Sequence, residues 1–266
     1  MFDSHCHLHD PRVADPVKLL DEAYTAGVAR LLLAGVEAVG WTAQAQLVSG
    51  SSQFPALYSS YGLHPQIVAA LDDAAIAAQL ALLEQRLAAR NSLERVVALG
   101  EIGLDLVDDR RASLDRQIEA FSAQLCLAKQ FELPVCLHIL RAHGEALKVL
   151  RSVGLPTQGG VVHSYSGSPE LVPEYLELGL HLSFAGAVTW PNARRAVQSC
   201  KATPTERLLV ETDSPDQTPE PHRPTQNRPA FLIAIIEQVA QIRGQAPAAI
   251  AQVTDENACR LFGIKP

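Results

Sequence analysis

The sequence predicts an α/β protein that folds as a single-domain (β/α)8 barrel of the TIM type, spanning residues 1–266. Short apolar runs alternate with longer amphipathic stretches along the whole chain, a pattern typical of parallel strands joined by helices. Eight such runs in 266 residues favour a closed barrel over an open doubly wound sheet, because this is the ordinary size of one barrel. No glycine-rich dinucleotide-binding motif follows the first run, which also disfavours the open sheet.

The predicted elements follow one another from end to end of the chain. The predicted strands are Met1–His7, Arg30–Val36, Ala56–Leu63, Val96–Leu104, Leu133–Leu140, Gly159–Ser164, His181–Ala185 and Leu208–Glu211. The clearest predicted helices are Pro16–Ala26, Asp72–Arg90, Arg110–Glu132 and Glu145–Val153. The proline-rich segment Pro215–Pro229 is expected to form a long loop after the eighth strand, and Ala246–Phe262 one or two closing helices.

Charge and cysteine usage narrow the function classes. The net charge of −7 gives no general attraction to a polyanion, which disfavours broad binding of duplex DNA. A small cationic site, such as a bound metal pair, could still hold a phosphate locally. Five cysteines without a Cys-x-x-Cys pair argue against a disulfide framework and favour a reducing compartment. Without a signal-peptide pattern or a long apolar run, we expect a cytoplasmic protein with no membrane association and no obligate protein partner.

Polar side chains occur where the predicted strands end, which is where a barrel carries its catalytic groups. His5 and His7 are two residues apart on the first strand, so both face the barrel interior. Glu101 lies in a strongly apolar run, where a lone carboxylate is costly unless it is paired or bound to metal. Gly100 and Gly103 leave room for close approach. The remaining polar groups at strand ends are His64, Asp105, His138, His163 and Asp213.

These groups together predict a metal centre, although each has a structural alternative. The histidines could form core hydrogen bonds, Glu101 a buried ion pair, and Asp213 a turn cap. Four histidines and two carboxylates suit zinc, manganese, nickel or iron, and tolerate magnesium less well. Six ligands are too many for one open catalytic ion, so we expect two divalent ions that share a bridging carboxylate. Glu211 has the same side-chain direction as Asp213 and is a candidate supporting residue.

Five motifs resemble those of the TatD family of metal-dependent hydrolases, within the amidohydrolase-type barrel superfamily. They are Ser-His-Cys-His-Leu, Gly-Leu-His-Pro, Gly-Glu-Ile-Gly-Leu-Asp, Val-His-Ser-Tyr-Ser-Gly and Glu-Thr-Asp-Ser-Pro, and they occur in the family's order over nearly the whole chain. The resemblance implies an amidohydrolase-like barrel that acts as a phosphodiesterase or deoxyribonuclease, including 3′-to-5′ exonuclease action on single-stranded ends. The ligand sets that it implies are His5, His7 and Asp213 for one metal, and His138 and His163 for the other, with Glu101 bridging.

The implied mechanism uses the metals to bind and ionise a water molecule, with Asp213 accepting its proton; Asp213 and Glu101 are therefore the predicted catalytic residues. His64, Arg141 and Arg223 are candidates for phosphate contacts, since arginine offers a planar fork of donors, although each could instead make a loop hydrogen bond. Three positions depart from the family pattern. They are Leu106, where tyrosine is frequent, Arg141, which is shifted by one residue, and Arg228, where glutamate is frequent.

The departures lie at the substrate rim while the ligand set is intact, so the resemblance implies metal-dependent hydrolysis more strongly than any one substrate. DNA or a small phosphodiester is the expected substrate. The alternative is an amidohydrolase or lactonase that acts on a small neutral substrate at the same metals. A non-enzymatic binding protein on a decayed barrel is disfavoured, because a decayed site would have lost a ligand.

Overall fold

The computed structural model of the protein describes residues 1–51 and 55–265. Eight parallel strands follow one another around a nearly closed barrel with helices between them, which confirms the predicted fold class. The strands are β1 (Phe2–Cys6), β2 (Arg30–Gly35), β3 (Ala56–Tyr61), β4 (Val96–Asp105), β5 (Val135–Leu140), β6 (Gly160–Val162), β7 (Leu180–Phe184) and β8 (Leu208–Val210). The α-helices of the described residues are α1 (Pro16–Thr25), α2 (Ala38–Gly50), α3 (Pro65–Ala70), α4 (Asp73–Ala88), α5 (Leu114–Gln130), α6 (His143–Val153), α7 (Val172–Glu177), α8 (Arg194–Ala202), α9 (Leu232–Arg243) and α10 (Pro247–Leu261).

The seam between the first and last strands brings two candidate ligand segments together. The backbone N–H of His7 donates to the carbonyl of Ser214 at 2.7 Å, and that of Asp213 donates to the carbonyl of His5 at 2.9 Å. The Ser4 hydroxyl donates to the carbonyl of Val210 at 2.9 Å. Closure of the barrel therefore places the end of β1 directly beside the segment that follows β8.

Apolar side chains pack on both sides of the strands. The larger core lies between the barrel and its helices and contains Leu31 and Leu33 of β2. The smaller core includes Phe2 of β1 and Leu32 of β2 from inside the barrel, and it is covered by Phe262 next to α10. Because side chains alternate along a strand, a strand such as β2 contributes to both cores.

The element boundaries differ from the predicted ones at several strand and helix ends. The strands β6 and β8 have only three residues each, although the backbone N–H groups of His163 and Glu211 still donate to the neighbouring strands β5 and β7. The helix predicted from Arg110 starts with a 3-10 turn, Asp108–Ser113. The tail forms one α-helix, α10, and α9 is not among the predicted helices. No helix in the described part of the chain is long and apolar enough to cross a membrane.

Candidate metal centre

The six candidate ligands converge at the carboxyl ends of the strands, with Glu101 at their centre. Its Oε1 atom lies 2.8 Å from Nδ1 of His138 and 2.8 Å from Nε2 of His163. Its Oε2 atom lies 3.2 Å from Nε2 of His5 and 3.5 Å from Nε2 of His7. Each oxygen of this carboxylate therefore faces two of the candidate histidine ligands, one pair on each side.

Asp213 completes the cluster on the side of β1. Its Oδ1 atom lies 3.3 Å from Nε2 of His7 and 3.9 Å from Nε2 of His5. The donor atoms of these three residues lie within 4.8 Å of one another, as do those of His5, Glu101 and His163. Both groups have the spacing that a bound divalent ion needs.

Two glycines allow Glu101 to reach this position. Gly100 and Gly103 have φ values of +140° and +142°, a region that side chains disfavour. A Cβ atom at Gly103 would collide with the carbonyl oxygen of His138, and one at Gly100 with that of Cys136. The strand that carries Glu101 therefore lies against the strand that carries His138 only because these two residues lack side chains.

The outward-facing nitrogens of two histidines test whether the cluster fits metal ions. Nδ1 of His7 lies 2.8 Å from the carbonyl oxygen of Ala34, and Nδ1 of His163 lies 3.2 Å from Oε1 of Glu211. Since these partners only accept, each ring carries a proton on Nδ1, and its Nε2, which faces Glu101, becomes a metal donor once it has lost its own proton. This is the arrangement of metal-binding histidines whose outer nitrogen is anchored, so the residues fit a divalent metal. Glu211 supports His163 rather than Asp213.

Asp105 supports His138 in a similar way. Its Oδ2 atom lies 3.5 Å from Nε2 of His138 and accepts a hydrogen bond from Gln66 at 3.0 Å. Burial raises the pKa of Asp105, but the hydrogen bonds to His138 and Gln66 outweigh it and hold the pKa well below its usual range. The sequence places Asp105 at a strand end, but only the structure shows which ring it holds.

His64 differs from the other histidines in the position of its proton. Its Nε2 atom lies 3.1 Å from Oε1 of Glu101, but its Nδ1 atom accepts a hydrogen bond from the backbone N–H of Gln66 at 3.1 Å, as the N-cap of α3. A neutral ring whose Nδ1 accepts must carry its proton on Nε2. Burial, assisted by the charge of His138, lowers the pKa of His64 to about 4. The neutral ring is therefore a hydrogen-bond donor, which suits a substrate contact better than a metal ligand.

Protons balance the charges of the carboxylates when no metal is bound. Burial opposes a charge on His7, but the hydrogen bond to Asp213 and the negative charges of Glu101 and Asp213 raise its pKa to about 9. Burial likewise opposes ionisation of Asp213, but the hydrogen bond with His7 and the charge of His163 lower its pKa to about 2. Metal binding must displace the histidine protons, so it is linked to pH.

A cleft of about 1430 Å³ opens above the cluster. Neither Arg141 nor Arg223 is among its lining residues. Arg141 is exposed, and Arg223 forms an ion pair of 3.3 Å with Glu220 while its guanidinium lies 5.3 Å from the centre of the Trp190 ring. Contact of these two arginines with substrate stays a prediction. The arginines that line the cleft are Arg12, Arg194 and Arg195.

The other departures from the family pattern have local structural roles. Leu106 is buried in the larger core. Arg228 forms an ion pair of 2.8 Å with Glu22 of α1, outside the cleft. Arg194 and Arg195 are not among the residues predicted from the sequence, although an Arg-Arg pair after β7 is visible there.

Comparison with known proteins identifies the family. A family model described as TatD related DNase matches residues 2–263. The metal-dependent hydrolase YabD of Bacillus subtilis is 33% identical over 268 residues, covering 99% of each chain. A Rahnella protein named 3′-5′ ssDNA/RNA exonuclease TatD is 34% identical over 257 residues, covering 94% of this chain and 93% of its own length. The crystal structure of the TatD homologue YjjV from Escherichia coli superposes with a TM-score of 0.90 at 32% identity, covering 100% of this chain and 98% of that one.

The barrel with clustered histidines and carboxylates thus defines a metal-dependent hydrolase. The chain belongs to the TatD family, and the resemblance seen in its motifs is confirmed. The number and identity of its metals, the role of each residue and the substrate are matters of proposal.

Proposed function

We propose that this protein is a two-metal phosphodiesterase that removes nucleotides from the ends of single-stranded DNA. The proposal rests on the position of Glu101, each of whose oxygens faces two of the candidate histidine ligands. A carboxylate in that position suits a bridge between two ions. The name of the Rahnella relative, a 3′-5′ ssDNA/RNA exonuclease, supports the choice of a nucleic acid substrate and of that polarity.

The residues divide into two ligand sets. His5, His7 and Asp213 would hold one divalent ion, His138 and His163 the other, and Glu101 both. Zinc, manganese and nickel suit this set of donors better than magnesium does. Bound ions would supply Lewis acidity and a water of lowered pKa.

The protein's own groups provide proton transfer and orientation. Asp213 is ionised at neutral pH, because its pKa is about 2, and its Oδ1 atom is the proposed acceptor of the proton from water. Gln217 donates a hydrogen bond to the other oxygen, Oδ2, and so fixes which oxygen faces the cluster. His64, with its proton on Nε2, is placed to donate to a phosphoryl oxygen. Contacts of Arg141 and Arg223 with more distant phosphates belong to the same proposal.

A substrate screen with reloaded protein tests the proposal. Metal-stripped protein is supplied separately with zinc, manganese, nickel and magnesium. Each form is then assayed on end-labelled single-stranded DNA, the matching duplex and bis(p-nitrophenyl) phosphate. We expect stepwise shortening of the single strand from its 3′ end, with much slower cutting of the duplex. A panel of lactones and amides is the control: hydrolysis of a neutral substrate with no cleavage of any phosphodiester would replace this function with that of a small-molecule hydrolase.

A further inference from the structure

One wall of the cleft has a composition that the metal centre does not explain. Trp190 follows β7, lines the cleft and is 36% exposed. Its indole Nε1 donates to the carbonyl of Thr218 at 2.9 Å, and the guanidinium of Arg223 lies 5.3 Å from the ring centre. The ring is therefore held by its edge and by a neighbouring cation, although it is a large aromatic group in contact with solvent.

Two further arginines that line the same cleft form no ion pair within the described residues. Arg194 and Arg195 begin α8 and line the same cleft. Within residues 1–51 and 55–265, neither guanidinium has an ion pair or a side-chain hydrogen bond, whereas Arg12, which also lines the cleft, is held by Asp10 at 2.8 Å and Asp216 at 2.7 Å. The cleft thus offers two arginines without an ion pair, although the protein as a whole is acidic. The acidic residue Glu170 lies in the same lining, and its pKa is lowered by the hydrogen bond to Ser168 and, to a lesser extent, by the charge of Arg195.

The wall is also braced against the metal centre. Gly186, before Trp190, packs so closely on the carbonyl of Gln217 that a Cβ atom there would collide with it. Gln217 in turn donates a hydrogen bond to Asp213. The position of the aromatic wall is therefore set relative to the candidate proton acceptor by direct contacts. A ligand could touch both at once.

We infer that Trp190, Arg194 and Arg195 form a strand-binding subsite, in which the indole stacks on a base and the arginines bind phosphates of a single-stranded substrate beyond the scissile bond; this rests on the proposed function. A flat aromatic ring beside cations is how proteins hold single strands without sequence preference. The cleft volume of about 1430 Å³ exceeds the roughly 300–1,000 Å³ of pockets for single small ligands, so it has room for more than the scissile phosphate.

Binding of fluorescein-labelled octathymidylate in EDTA, measured by anisotropy, tests the subsite without turnover. We expect Trp190→Ala to weaken binding about 10-fold and Trp190→Phe to restore most of it, because stacking needs only an aromatic face. Each arginine that neutralises one phosphate contributes about 0.7 to the slope of log K against log salt. The double variant Arg194→Gln/Arg195→Gln should therefore lower that slope by about 1.4, and Trp190→Ala should leave it unchanged. Lys201→Ala, at the other end of α8, is the matched control.

Turnover separates failure of the subsite from failure of the proposed function. In the metal-loaded enzyme, Trp190→Ala should raise KM for octathymidylate at least about 10-fold more than KM for bis(p-nitrophenyl) phosphate. Unchanged oligonucleotide affinity, salt slope and KM in these variants would overturn the subsite while the function stands. If the wild type cuts no phosphodiester, the function fails, and the anisotropy result alone then decides whether the wall binds a strand.

Discussion

The two ends of the barrel interior are built from the same strands but have opposite chemistry. At the amino-terminal end, Phe2, Leu32 and Leu209 fill the interior beneath the cover formed by Phe262 and α10. At the carboxyl-terminal end, the same strands and their continuations place His5 and Asp213 around Glu101. The closed end is stabilised by burying apolar area, whereas the open end buries ionisable groups that must be matched by protons or by metal.

The closed end of the barrel therefore contributes mainly to stability, and the open end to function. Apolar side chains at the closed end can be exchanged for one another at a cost set by volume and packing. At the open end, polar groups depend on specific partners, such as Glu211 for His163. Substitutions at the two ends should therefore have separable effects on stability and on metal binding.

Loss of Glu101 should have the largest effect on the open end. Glu101→Ala removes the carboxylate that faces all four candidate histidine ligands, so both ions should bind weakly. Proton transfer by one positioned side chain typically contributes roughly 10²–10⁴-fold to a rate. We expect Glu101→Ala to lower turnover by at least the upper end of this range, because the bound metal and the positioned water are lost together. Elemental analysis and single-turnover rates measure this. His138→Ala is the comparison variant and should deplete one ion more than the other; equal and normal metal content in both variants would refute the bridging role.

Asp213→Asn tests proton transfer at the open end. The amide keeps the size of the side chain but no longer accepts a proton, so we expect kcat to fall roughly 10²–10⁴-fold with a smaller change in KM. Metal content must be measured in parallel, since Asp213 is also a candidate ligand. Near-normal kcat in a fully metallated variant would remove Asp213 from the mechanism.

Phe2→Ala is the counterpart at the closed end. Phe2 is 1% exposed and packs against Phe262 with ring centres 5.9 Å apart. Its truncation should lower the free energy of unfolding by about 3–5 kcal/mol, measured by urea denaturation, while the folded variant retains its metal affinity. A large loss of metal affinity in folded Phe2→Ala protein would show that the two ends are not separable.

Glu211→Gln should weaken metal binding without removing a ligand. Glu211 accepts from Nδ1 of His163 at 3.2 Å and from the backbone N–H of Ser164 at 2.7 Å, and the amide is a weaker acceptor for the ring. We expect metal affinity to fall about 10- to 100-fold. Competition with a fluorescent chelator measures it, and wild-type affinity would mean that His163 needs no anchor.

The buried residue His181, at the closed end, should make the free energy of unfolding depend on pH. Burial and then the charge of Arg207 lower its pKa to about 4, below the ordinary value of about 6.5. Its neutral form is favoured in the fold, so its contribution is fully present above pH 6.5 and is lost as pH falls towards 4, by about 2 kcal/mol between pH 7.5 and pH 5. In metal-free protein, His181→Leu should flatten the fall in unfolding free energy over this range; an unchanged profile would contradict the assignment.

The barrel and the positions of its candidate metal ligands follow from the sequence. Alternating apolar runs specify strands and helices locally, and the polar residues that interrupt those runs mark the strand ends. His5 and His7 share one face because side chains alternate along a strand. No long-range information is needed for either step. The loop predicted over Pro215–Pro229 likewise follows from the proline and polar residues of that segment.

The contacts of the individual polar groups, in contrast, depend on the tertiary structure. The proton of His64 is placed on Nε2 by the backbone of Gln66, and Arg223 lies against Trp190 instead of entering the cleft. Nothing in the local sequence pattern connects Arg194 and Arg195 with Glu101, but the fold places all three in the lining of one cleft. These outcomes depend on atoms that are distant along the chain and meet only when the barrel closes, so no local pattern encodes them.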